Sequence, residues 1–482
     1  MSNMTIQEAA GLKDASAAAK YESQYGEYME LAADAMKDKF EYEWTQEDTM
    51  AFGRYADTWQ EYRPLMEADL TSRNTLGEAI QSNMGLIAMS YASLPIQNIA
   101  SVQPLSDEAG TVFYRKGIAT TSRGGVSAGD DLISPMGNVN GEIGNYTSET
   151  QTLSTAVADD GAGAPAAVVN AQLGAELRPG KVRIEVAGGK IKGMDDGEGH
   201  ILGVGIKAEA STVDYSTGAM TVELVDAAAK GVVIGDPINV TYHQSVIDSD
   251  TIPTMKWVLS SKVVSADYYV LQSQYSNLSE LVLRKRFGAD LSDQVSADLV
   301  SQITSSVMFK AIAKLRNSAI ANEVTSGEVV TWSMVAPSGV SDHDHRRTFD
   351  DKLIEATGIM YQIAGKGDVS TLIVGTKGKQ VLKTAGMRMI KNAVAGPHLC
   401  GMYDSVPVYY APNTVLAANE ILVIYRGANW YESPLVYAPF LPVTTVSGKA
   451  VNNVLTNANA AYHSAALETV MEGFVVRISL TS

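Results

Sequence analysis

The chain has 482 residues, 45% of them hydrophobic and 19% charged, which is too apolar for a disordered chain and long enough for roughly three domains. Its 37 Lys and Arg against 54 Asp and Glu give a net charge of −17, which argues against a broad face that grips nucleic acid, though not against a protein that encloses it. The single cysteine, Cys400, excludes an intrachain disulfide and a cysteine-cluster metal site and fits a reducing compartment.

No basic segment followed by an apolar one stands at the N-terminus, so no secretory signal is expected. Residues 14–63 read as helical. Tyr21, Tyr25 and Tyr28 fall at i, i+4, i+7. Phe52, Tyr55, Trp59 and Tyr62 repeat such a stripe after a capping-box-like Thr45…Asp48. Each stripe means either local packing between two helices or an arm laid on a neighbouring chain, where aromatics are enriched. "MGLIAMSYASLPI" (84–96) is too short to cross a bilayer and reads as buried core, with no membrane partner.

"IASVQPLSDEAGTVFYRKG" (99–117) reads as a corner. Pro104 holds Gln103 extended and Gly110 is expected to permit a turn. Residues 107–165 hold many Gly, Ser, Thr and Asp and few core formers, so they read as disordered or as a loop ordered by another molecule. Over 173–245, apolar residues alternate at Val182, Ile184 and Val186, and at Ile238, Val240 and Tyr242. That period predicts a compact β domain, with Gly218 at positive φ inside the hairpin "VDYSTGAMTVELVD".

Two strand-like runs occupy 256–275, and "LRKRF" (283–287) reads as a solvated basic end or as a partner for acidic loops of another subunit. From Asp290 to about Asn317, apolar residues recur every four positions from Leu291 to Val307, predicting a helix roughly 40 Å long. Residues 349–430 alternate helix and strand. "ESPLVYAPFLPV" (432–443) then leads to the β-rich "GFVVRISL" (473–480).

No reaction centre emerges. "VGTKGKQ" (374–380) follows a strand and opens a helix, but it is two residues short of a phosphate loop and has Gln380 where the magnesium hydroxyl belongs. "SDHDHRR" (341–347) offers His343 and His345 without a matching ligand cluster among six histidines, and reads as a solvated loop. "MDDGEGH" (194–200) lacks the alternating oxygen ligands of a calcium loop and reads as a hairpin tip. Cys400 reads as a small buried hydrophobe. No enzyme activity, catalytic residue, cofactor or metal is expected.

The order of parts resembles that of tailed-bacteriophage major capsid proteins, in the flavour of large contractile-tailed phages. "VQPL" with Gly110 and Phe113 resembles the start of the family's extended loop. "SADYYVLQSQYSNL" followed by "SDQVSADLVSQITSSVMFKAIAKL" resembles its peripheral strand and spine helix, and "WYESPLVYAPFLPV" its return from the axial domain. The resemblance covers most of residues 76–482 and implies an α+β capsid fold. Its parts would be an N-terminal arm (1–75), peripheral segments (76–106, 256–329 with the spine helix about 290–317, and 432–482), an extended loop (107–255) holding the β insertion at 173–245, and an axial domain (330–431).

Further implications follow from the same resemblance. Copies would self-assemble as hexamers and pentamers into an icosahedral virion shell enclosing double-stranded DNA without sequence-specific binding. Assembly would take place in the host cytoplasm, through a procapsid that matures by expansion. Scaffolding protein, portal, and decoration or vertex proteins are the expected partners. Candidate contacts between subunits are Tyr21, Tyr25, Tyr28, Tyr55, Trp59, Tyr62, Asp107, Glu108, Asp130, Asp131, Arg284, Lys285 and Arg286. Some relatives lose an N-terminal segment to a maturation protease. A chain starting at Met1 argues against that here, provided Met1 is the translational start. No covalent crosslink site is matched. An encapsulin-like compartment shell and a tail sheath subunit are the alternatives.

Overall fold

Helix Ile6–Phe40 ends before a short turn, and helix Gln46–Asp69 begins where Thr45 and Asp48 satisfy each other's backbone. Thr45 Oγ1 accepts from the Asp48 N–H at 3.3 Å, and Asp48 Oδ2 accepts from the Thr45 N–H at 2.9 Å. The computed structural model describes residues 6–69, 88, 91, 95–123, 126–133, 146–161, 163–245, 252–287, 290–390, 396–427, 429–450 and 453–481. They form two compact units, Met1–Arg115 with Leu259–Ser482, and Lys116–Val258.

In the first unit a four-stranded sheet runs in the order Ala100–Val102, Leu435–Ala450, Asn453–Thr469, Asp267–Ser276. Its two long central strands form a hairpin that the sequence reading does not contain. Pro439 and Pro442 made the first of them look broken. The register shifts between Pro439 and Leu441 and again between Leu441 and Thr444 let the strand carry both prolines. Fully buried His463 lies in the second, with Nε2 3.0 Å from the Tyr437 hydroxyl.

Burial pushes the His463 imidazole down to about 4. The folded chain therefore resists a proton that the unfolded chain takes up below about 6.5. Stability from this group is complete above that pH and drains away as pH falls toward 4. Lowering the pH from 7 to 4.5 is expected to cost roughly 2 kcal/mol. Urea midpoints measured across that window check it, and a flat profile contradicts it. Burial raises the Glu468 carboxyl, but hydrogen bonds from Lys262 and Lys314 outweigh this and hold it below its ordinary range, so its own loss comes at lower pH.

Helix Leu291–Ser326 runs beyond the expected end and stops at Gly327, whose φ of 71° suits a left-handed cap. The apolar pattern fades because buried Ser318 and Asn322 replace apolar residues, and Asn322 Nδ2 donates to the Val475 carbonyl at 2.9 Å. Leu299, Ile303, Val307 and Leu315 pack with Ile99, Tyr437 and Ala461, and with Ile373, Leu422 and Ile424 of a second sheet.

That second sheet has seven strands, in the order Val330–Ser333, Val475–Thr481, Glu420–Ile424, Thr371–Val374, Val406–Tyr410, His398–Tyr403, Arg388–Met389. Side chains alternate between its faces. Ile373 and Leu422 meet the long helix, while Leu372, Val374, Ile421 and Val423 pack with residues of helices Phe349–Ala364 and Thr376–Ala385. The sequence reading groups the C-terminal strand with the peripheral segments. In the structure it lies inside this sheet, where buried Ile478 pairs with Val330 and Ile421.

The second unit holds a five-stranded sheet (Thr150–Ala156, Pro237–His243, Arg183–Val186, Ile191–Asp195, Ile201–Val204) and a three-stranded one (Val168–Gln172, Ala219–Glu223, Thr212–Val213). These sheets take in Thr150–Ala156 and Val168–Gln172, which lie outside the expected 173–245. Each buries only one side chain, so composition does not reveal it. Gly218 takes φ 75° as expected, and a Cβ there would lie 2.4 Å from the Gly174 carbonyl oxygen.

Candidate inter-subunit surfaces

The aromatic stripes meet within their own chain. The Tyr21 ring lies over Gly53, where a Cβ would come within 2.2 Å of it. Tyr25 donates from its hydroxyl to Asp57 at 2.7 Å. Tyr55 and Trp59 are buried with Phe52 around Tyr91, and Tyr28 packs half-buried against the same cluster. The Tyr62 side chain lies outside the described residues.

At the corner, Gln103 and Leu105 donate backbone N–H groups to the Tyr437 and Pro439 carbonyls, both at 2.9 Å. The Gln103 side chain then grips the next strand. Its Oε1 accepts from the Phe113 N–H at 2.9 Å and its Nε2 donates to the Phe113 carbonyl at 3.0 Å. Gly110 sits in strand Ala109–Ala119, and its φ is not positive. It is needed for room instead of torsion, since a Cβ would meet Leu105 at 2.7 Å.

The acidic candidates are placed as follows. Asp107 and Glu108 are exposed, and Asp107 accepts from the Glu108 N–H at 2.7 Å. Asp130 accepts from the Ser127 N–H at 2.8 Å, and Asp131 pairs with Lys116 at 3.0 Å. Arg284 pairs with Asp290 at 3.0 Å, while Lys285 and Arg286 stand exposed in the last turn of helix Asn277–Phe287.

Of the residues considered for chemistry, the His343 side chain lies outside the described residues, and those that follow have structural roles. "SDHDHRR" is not a solvated loop but a short helix, Asp342–Arg347, capped by Ser341. His345 is buried there, stacked on Trp332 at 4.8 Å, with Nε2 donating to the Ser333 carbonyl at 2.7 Å. Asp195 accepts from the Gly180 N–H and the Tyr215 hydroxyl, each at 2.6 Å, closing the "MDDGEGH" hairpin tip. Burial pushes the Cys400 thiol up to about 11, so it stays protonated and unreactive.

Sequence reasoning missed the main charge network. Glu420, with a 5% exposed side chain, accepts from Arg316 at 2.6 and 2.8 Å and from Arg477 at 2.6 Å. Arg477 also holds Glu323 at 2.6 and 2.8 Å. Burial alone would raise the Glu420 carboxyl. The two guanidinium groups and the Ala417 N–H outweigh it and hold the carboxyl down at about 2. One signal was available. Arg477 interrupts the apolar "VVRISL" and Glu420 opens "ILVIY", and a charge inside an apolar strand requires a partner.

A surface rich in apolar groups stands apart from these satisfied interiors. Val263, Val270, Leu278 and Phe287 are 78%, 68%, 71% and 75% exposed. Helix Asn277–Phe287 buries no residue. Large apolar side chains left exposed in number are what a subunit that meets a partner carries. Among the described residues no helix is long and apolar enough to cross a membrane.

The profile of the major capsid protein Gp23 family matches residues 81–454, and the chain belongs to that family. It is a major capsid protein, a structural and non-enzymatic component of the virion capsid that assembles with copies of itself. No curated protein matches the sequence. Similar solved structures include one from Microbacterium phage Oxtober96, with 13% identity, 49% of this chain and 81% of that chain covered, and a TM-score of 0.32. The asymmetric unit of the bacteriophage PhiM1 mature capsid is 10% identical, covering 50% of this chain and 78% of that one, with a TM-score of 0.30. A virus-like particle from Pyrococcus furiosus is 8% identical, covering 48% and 82%, with a TM-score of 0.29.

Proposed function

We propose that this major capsid protein is the shell subunit of a large contractile-tailed phage. Hexamers and pentamers close an icosahedral head around double-stranded DNA. Residues 1–75 act as the arm and 107–255 as the extended loop bearing the β unit. The axial domain is built on 330–431 with the C-terminal strand. The peripheral domain is built on 76–106, 256–329 and the long hairpin. Scaffolding protein guides the procapsid, and a portal, with decoration or vertex proteins where the head has them, completes it.

The observation that carries this reading is the run of exposed apolar side chains from Leu259 to Phe287, on a segment whose helix buries no residue in the lone subunit. Electron microscopy of the full chain, alone and with scaffolding protein, is expected to show closed polyhedral shells. Leu278→Ser with Phe287→Ser should leave a monomer of 51.4 kDa. Because both side chains are exposed, the unfolding free energy should change by no more than about 0.5 kcal/mol. Tubes would instead identify a sheath subunit, and shells filled with an enzyme a compartment protein. A wild-type chain that stays monomeric with scaffold present overturns the assembly reading.

A further inference from the structure

Residues 369–403 contain no Asp or Glu, in a chain with 54 of them, yet carry Lys377, Lys379, Lys383, Arg388 and Lys391. Arg388 is spent on Glu41, at 2.7 and 2.8 Å. The three lysines at 377, 379 and 383 share helix Thr376–Ala385. The helix Asp342–Arg347 lies beside it, where Arg346 donates to Thr384 Oγ1, and adds Arg346 and Arg347. None of these five cations forms an ion pair among the described residues. Lys379 lies over the Tyr410 ring at 4.8 Å. The carboxylates of the shorter helix, Asp342 and Asp344, are in its first turn, and Asp344 accepts from the Ser341 hydroxyl at 2.7 Å.

We infer that this face binds the phosphate backbone of double-stranded nucleic acid without regard to sequence. The character of the surface decides between nucleic acid and a second copy of the acidic chain. The outward residues of helix Thr376–Ala385 are Thr376, Lys377, Gln380, Lys383 and Thr384, and none is apolar. Protein interfaces have apolar or aromatic centres and are depleted in lysine. Surfaces that hold phosphates are polar and rich in Lys and Arg. The assembly segment proposed above differs in carrying large exposed Val, Leu and Phe side chains among its polar ones. The inference rests on the capsid reading, in which nucleic acid is what the shell surrounds. It adds a local grip to a protein whose net charge would otherwise only repel DNA.

The test is fluorescence anisotropy of a labelled 30-base-pair duplex titrated with the full chain between 50 and 300 mM salt. Binding should weaken linearly on a log–log plot. Arg347→Glu, Lys377→Glu and Lys383→Glu together should flatten that slope by about 2.7, at roughly 0.9 for each phosphate no longer neutralised. Affinity at 100 mM salt should fall at least about tenfold. Lys181→Glu with Arg183→Glu, at exposed positions of the second unit, should change neither. Absence of wild-type binding at 50 mM salt overturns the inference, as does an equal loss in the Lys181 and Arg183 variant. Retained DNA binding in the triple variant with loss of shells also overturns it and makes the face an interface between copies. Wild-type shells seen by microscopy leave the capsid reading standing in each of these cases.

Discussion

Glu420→Gln is expected to lower the unfolding free energy of the unassembled chain by about 3–5 kcal/mol, the range for removing one partner of a buried ion pair. The carboxylate sits between Arg316 of the long helix and Arg477 of the C-terminal strand, with its side chain 5% exposed. An amide of the same shape removes the charge and leaves two guanidinium groups facing each other. Arg477 retains Glu323 at 2.6 Å, but Arg316 has no second ion pair among the described residues. The network ties the seven-stranded sheet to the long helix, so the loss should appear as one shift of the whole urea transition. Its pH dependence follows from the same geometry. The folded carboxyl is held at about 2, so its contribution is complete above about 4.5 and drains as pH falls toward 2. The variant should lose that acid limb. An unchanged midpoint in urea, or an acid limb that survives the substitution, would show that the network contributes little.

What the sequence disclosed and what it hid follow from one physical distinction. Periodicity reports which residues turn away from water, not what they turn toward. The four-residue recurrence from Leu291 to Val307 was enough to read the long helix, and the reading stopped early where Ser318 and Asn322 took buried positions by hydrogen bonding. The tyrosine stripes identified two helix faces, but spacing alone could not say that Tyr25 and Tyr55 face their own chain. The hairpin Leu435–Thr469 stayed hidden because Pro439 and Pro442 look like breakers when the compensating bulges are unseen, and its second strand is rich in Ala and Asn. The surface proposed for assembly was unreadable for a related reason. Leu278 and Phe287 have the same pattern whether covered by their own fold or by a neighbour. The network around Glu420 joins residues 316, 323, 420 and 477, a separation that no local pattern spans.

Gly375→Ala should cost about 3 kcal/mol, at the upper end for overpacking, although it adds a single methyl group. Gly375 has φ −76° and ψ −179°, an extended conformation that any residue adopts, so the cost is steric and not torsional. A Cβ there would lie 2.3 Å from the Ala417 carbonyl oxygen and 2.9 Å from that of Ala418. Both neighbours are backbone and cannot rotate away. The same short turn is pinned from three directions. The Gly375 N–H donates to the Glu420 carbonyl at 3.0 Å, and the Lys377 N–H to the Ala418 carbonyl at 2.8 Å. The Ala417 N–H donates to Glu420 Oε2 at 3.2 Å. Pushing residues 417 and 418 outward therefore draws a donor away from the Glu420 carboxylate. This accounts for the glycine in "VGTKGKQ" without a phosphate, since it lets strand and helix approach a neighbouring turn. It also makes the two substitutions interdependent. A Gly375→Ala, Glu420→Gln double variant should lose less than the sum of the single losses, by roughly 1–2 kcal/mol, because each damages the same turn. Strict additivity in a double-mutant cycle of urea midpoints would mean that the turn moves without disturbing the carboxylate.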